Sequence, residues 1–187
     1  MKKNIFLFML LSLIAVVFIS GTMYIEGSPG GKTGSPLDGI TCAQCHPSSV
    51  TPVEWISSNI PVTGYMPGQT YIITINATDA SATKIGFEVT AENASEKQGV
   101  ITINDKVNTQ LTNNNEAITH QETGTTPRDG KISWNFNWTA PVTDKGDVTF
   151  YGAFNAANGN GNTSDDRIFT NSLKVSENKI NKVTLKN

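Results

Sequence analysis

Residues 131–141 read KISWNFNWTAP, and this stretch decides the fold. Ile132, Trp134, Phe136 and Trp138 fall on one side of a two-residue period, while Ser133, Asn135, Asn137 and Thr139 fall on the other. That is the pattern of a half-buried strand with an aromatic inner face, which Pro141 ends. The same alternation recurs on both sides. In QTYIITINAT (69–78), Tyr71, Ile73, Ile75 and Ala77 share a face after the Pro67-Gly68 turn; Phe87, Val89 and Ala91 do so in GFEVTA; VITIND (100–105) is a third short strand. DVTFYGAF (147–154) opposes Val148, Phe150 and Phe154 to Thr149, Tyr151 and Ala153, and FTNSLKV and KVTLK are weaker strands. Beyond the N-terminal leader no stretch has helical periodicity, so the expectation is an all-β, antiparallel sandwich.

The chain has 187 residues, enough for one domain with a real core, and its formal charge of −2 comes from dispersed Lys, Arg, Asp and Glu. Phosphate binding needs clustered cations, so the composition argues against a nucleic-acid partner. Lys2 and Lys3 precede an apolar run from Ile5 to Ile19, interrupted by Ser12 alone, which marks the chain as exported to the periplasm or cell surface. Residues 1–25 are read as a secretory signal peptide or, since apolar character resumes at Met23, an uncleaved membrane anchor. Residues 26–60 form a Gly/Pro-rich arm that begins EGSPGGKTGSPLDGI, and residues 61–187 form the sandwich domain.

The arm carries TCAQCHP (41–47), with both cysteines of the chain and one of its two histidines. CxxCH is the attachment signature of c-type haem. Thiols two residues apart reach the two vinyl groups on one porphyrin edge, and the next residue then lies beneath the iron as a neutral imidazole ligand. Cys42 and Cys45 are therefore the expected tethers of one covalent haem c, with His46 as its axial ligand. Three other chemistries remain open at this point: a disulfide, a thiol-redox pair, and zinc bound with His120. For the sixth iron position the sequence offers His120, the only other histidine, with Met66 and Met23 as weaker alternatives; a Met ligand would raise the reduction potential relative to a second His.

The chain resembles the choice-of-anchor V domain of bacterial surface proteins, itself similar to the reeler domain of extracellular and ferric-reductase-like proteins. The resemblance runs through GKTGSPLDGITCAQCH, GYMPGQTYIITI, IGFEVTAEN, AITH, WNFNWTAP and VTFYGAFNAANGNGNTSDD, in that order, from Gly30 to about Phe169. It implies a reeler-like, immunoglobulin-like β-sandwich in which Cys42, Cys45, His46 and His120 occupy motif positions. It does not promote Met66, which stands where the pattern more often has a small polar residue.

Other features are weaker. Asn158, Asn160 and Asn162, with Asp165 and Asp166, could offer oxygens to calcium, but Asn-Gly pairs make turns unaided and the bidentate Glu of an EF-hand loop is missing. Trp134 and Trp138 belong to the core, and no nucleophile, base or opposed carboxylate pair forms a catalytic set. Two functions follow. The first is an exported monohaem cytochrome-like electron carrier, served by the haem-maturation machinery and an unidentified redox partner. The alternative is a non-redox surface module for adhesion or assembly, with Cys42 and Cys45 in a disulfide.

Overall fold

The computed structural model describes residues 24–178; the leader with Met23, and the KVTLK segment, lie outside the described residues. Ten strands build two sheets: β1 (Val50–Pro52), β2 (Ile56–Ser58), β3 (Thr70–Thr78), β4 (Lys84–Glu92), β5 (Val100–Ile103), β6 (Thr109–Thr112), β7 (Ala117–His120), β8 (Lys131–Thr139), β9 (Val148–Ala157) and β10 (Arg167–Val175). The six-stranded sheet runs β1-β10-β9-β4-β7-β6 and the four-stranded sheet β2-β3-β8-β5. The described residues hold only three short 3-10 turns and no helix long and apolar enough to cross a membrane.

The aromatic strand does what its alternation requires. Trp134, Phe136 and Trp138 of β8 are buried, and β8 pairs along its whole length with β3, Phe136 opposite Ile73 and Trp134 opposite Ile75. Between the sheets Trp138 meets Tyr65 edge-on at 5.2 Å and Phe150 at 5.1 Å, while Phe87 packs on Trp134 at 4.6 Å. The indole N–H groups do not go unpaired: Trp134 Nε1 donates to the Gly124 carbonyl and Trp138 Nε1 to that of Gln98, each at 2.8 Å.

Two features depart from a simple antiparallel sandwich. β1 runs parallel to β10, pairing Val50 with Ile168, and β2 pairs with β3, so the segment expected as an arm contributes a strand to each sheet. β4 is buried on both faces. Ile85, Phe87, Val89 and Ala91 enter the core as the alternation predicts, yet Glu88, Thr90 and Glu92 on the opposite face are fully buried too. The cause is the N-terminal arm, which lies across that face. Glu88 accepts hydrogen bonds from the Ser28 hydroxyl, from Gly31 N–H at 2.8 Å and from Lys32 N–H at 3.3 Å. Four residues on, Glu92 accepts from Leu37 N–H at 3.2 Å and pairs with Lys97 at 2.9 Å, and the Lys97 ammonium also holds Asp38 at 2.8 Å. Buried carboxylates are tolerated because each has charged or main-chain donors.

Candidate functional site

The arm leads into a 3-10 turn at Cys42–Gln44, capped by the Thr41 hydroxyl, which accepts from Ala43 N–H at 3.1 Å. Cys45 and His46 N–H both donate to the Cys42 carbonyl, at 3.2 and 3.0 Å. This tight turn presents the motif side chains to the outer face of the six-stranded sheet, where β4 begins and β9 ends. Gly86 and Asn155, register partners on those strands, lie on that face, since their neighbours Ile85, Phe87 and Phe154 point into the core.

Here the arm and the sheet border an open cavity of about 190 Å³. Cys42, Cys45, His46 and His120 all line it, together with apolar surface from Tyr24, Ile25 and Pro29, the cations Lys32 and Lys84 and the carboxyl groups of Glu122 and Asp166. Tyr24 and Ile25 are half exposed at its edge. Met66 does not line it. Met66 sits in the turn before β3, its N–H donating to the Tyr71 hydroxyl at 2.7 Å.

The two thiols are free and unbonded. Burial pushes the Cys42 thiol up to about 12, with the Glu88 carboxylate adding to the effect. A thiol so hard to ionise is a poor partner for thiol-disulfide exchange, which weighs against a redox pair. Among the described residues no group of three or more His, Cys, Asp or Glu side chains converges on a point where a metal ion could be held, so the zinc arrangement has no support.

His46 is fixed through its ring. Nδ1 is 2.7 Å from Oδ2 of Asp166, whose side chain is almost fully buried, and the Asn155 amide nitrogen lies 3.0 Å from Nδ1 and 3.3 Å from Nε2. A hydrogen bond from Nδ1–H to the carboxylate would leave the lone pair of a neutral ring on Nε2. The Oδ1 of Asn155 is buried and has no hydrogen-bond partner among the described residues.

His120, at the end of β7, is 8 % exposed, and burial holds its imidazole below the usual histidine value, against the opposing pull of the Phe87 and Tyr24 main chain. A neutral imidazole is the form that binds a metal. Its Nδ1 stands between both main-chain groups of Phe87: it can accept from the N–H at 3.0 Å or, in the other tautomer, donate to the carbonyl at 3.2 Å, and the Tyr24 main chain also hydrogen-bonds the ring. The ring occupies the space a side chain at residue 86 would take, for a Cβ on Gly86 would come within 2.6 Å of His120 Cε1. Thus a glycine on β4 makes room for the histidine on β7. Two free thiols and two imidazoles thus share one cavity with apolar surface.

The Asn-rich loop has a different use. Asn158, Asn160 and Asn162 each turn a side-chain oxygen back onto the N–H two residues on, at 2.9, 3.0 and 2.7 Å, and Asp166 Oδ1 accepts from Asn158 N–H at 3.1 Å. Those oxygens shape the loop. Sequence reasoning singled out the four motif residues but missed the supporting roles of Gly86, Asn155 and Asp166; the only signal for the last was its place in the Asn/Asp loop.

Comparison with curated protein sequences found no match. Among solved structures the fold is similar to the human F-spondin reeler domain, in one fragment at 21% identity over 70% of this chain and 94% of that one, with a TM-score of 0.51. A second fragment of the same domain gives 22% identity over 71% and 98% of the two chains, also at 0.51. At these identities the likeness concerns the fold. The Reeler domain family model matches residues 41–158, a span that opens just ahead of Cys42 and includes His46 and His120. The chain belongs to the Reeler domain family.

Proposed function

We propose that this Reeler domain is an exported haem protein of the choice-of-anchor V type that carries single electrons at the cell envelope. One observation carries the reading: the CxxCH turn and His120, far apart in sequence, line one cavity. In this reading Cys42 and Cys45 bind the porphyrin edge through thioethers, and His46 and His120 supply the axial nitrogens. Lys32 and Lys84 are suited to the propionates. The cavity opens to solvent, so a haem held there would be accessible to a redox partner. The haem supplies the electron-accepting iron; the protein contributes ligand identity, burial and hydrogen bonds to the ligands, which together set its potential. Histidines on both sides of the iron would leave it no open position for a substrate, which would suit a carrier.

A pyridine haemochrome spectrum of denatured protein, matured with the haem-attachment machinery, tests this. A covalent c-type spectrum is expected, and its absence refutes the reading. The family match and the F-spondin likeness favour a second reading, an extracellular assembly module without redox function. The unbonded thiols mean that such a module would not depend on a Cys42–Cys45 disulfide.

A further inference from the structure

Asp166 is an ionisable side chain buried beside the cavity, 3% exposed, at the end of the Asn-rich loop. The chain reaches it through Asp165, whose φ of 59° turns the backbone sharply just before β10. One carboxylate oxygen holds the loop through Asn158 N–H at 3.1 Å, and the other faces His46 Nδ1 at 2.7 Å across 120 residues of sequence. The Asn155 amide nitrogen closes the group at 3.5 Å from the same oxygen. The ring's other polar neighbour among the described residues is the Asn155 amide nitrogen, a donor, so Asp166 is the acceptor placed for His46 Nδ1–H.

We propose that Asp166 is a positioning residue for the haem iron, acting through His46: its carboxylate orients the imidazole and increases electron donation from Nε2, so that the oxidised iron is favoured. This rests on the haem reading above. A carboxylate acceptor is a full charge where a main-chain carbonyl is a dipole, and a ligand made more basic stabilises the higher charge on the metal. The loop from Asn158 to Asp166 thus serves to deliver one oxygen to one ring nitrogen.

The test compares the matured holoprotein with Asp166→Asn and Asp166→Glu. The pyridine haemochrome spectrum is recorded first, then the midpoint potential by spectroelectrochemistry. Asp166→Asn is expected to shift the one-electron equilibrium toward the reduced form about tenfold, ~59 mV, and Asp166→Glu, which keeps the charge, to recover at least half of that shift. An unchanged potential in Asp166→Asn, with haem present, overturns the assignment while leaving the haem reading intact. A protein that matures without haem overturns both. Should Asp166→Asn fail to fold, resonance Raman of the ferrous His120→Ala form decides. An iron–imidazole stretch in the raised range of a carboxylate-bonded histidine is expected, and one in the range of a carbonyl-bonded histidine overturns the proposal.

Discussion

Gly86→Ala separates two opposite expectations. In an ordinary strand the added methyl would stabilise by about 0.4–1 kcal/mol, because alanine loses less freedom on folding than glycine. At this position the new Cβ would stand 2.6 Å from His120 Cε1, 3.0 Å from Nε2 and 3.1 Å from Nδ1. To restore ordinary contact at 3.4 Å the ring has to withdraw by about 0.8 Å. It is not free to do so, since Phe87 N–H holds Nδ1 at 3.0 Å and the residue is buried. Overpacking of this kind costs about 1–3 kcal/mol, and a weakened hydrogen bond adds about 1. The net expectation is a loss of roughly 2–3 kcal/mol, or about 5–10 °C in Tm for a chain of this size. Urea and thermal unfolding of the haem-free protein measure it, and under the proposed haem ligation the holoprotein should also show an altered low-spin spectrum, because the His120 ring has moved. Unchanged or increased stability with an unchanged spectrum would refute the claim that Gly86 exists to seat His120.

Other perturbations read other parts of the structure. Trp138→Ala removes a fully buried indole that packs on Tyr65 and Phe150, and urea titration should show a loss of about 3–5 kcal/mol; a loss below 1 would contradict its place in the core. Tyr65→Phe deletes the hydrogen bond from the hydroxyl to the Gly146 carbonyl at 2.6 Å, at a cost of about 1 kcal/mol by the same assay. Burial raises the Glu88 carboxyl above its usual value, against the donors from Ser28, Lys32 and Gly31. The folded state therefore binds the proton more readily than the unfolded chain. Stability that Glu88 gives up as pH rises from its ordinary value of 4.5 through its folded value should be regained on acidification, and Glu88→Gln should lack this slope. An identical pH profile for the two proteins would count against it. His120→Ala should change the low-spin spectrum of the holoprotein and Met66→Ala should not; the reverse outcome would exchange their roles.

The sandwich was readable because aromatic and β-branched residues alternate with polar ones over nine residues at a time, as in β3 and β8. The short strands β1, β2, β6 and β7 were not, since three or four residues carry too little periodicity to stand out from loops. At the site, CxxCH announces itself by spacing, and His120 by being the only other imidazole. Glu88 and Glu92 looked like the solvent side of β4, because nothing local shows that Ser28 and Leu37 will fold over them. Gly86, Asn155 and Asp166 were hidden for a related reason: each acts through one contact with a residue distant in sequence, and such contacts exist only after the sheet has formed.

The most direct test of the account is the intact mass of the natively matured chain, followed by sequencing of the peptide that contains Cys42, Cys45 and His46. The account expects the mass of one haem in addition to the polypeptide, carried on both cysteines of that peptide. A peptide without added haem, its cysteines either free or joined to each other, would contradict it.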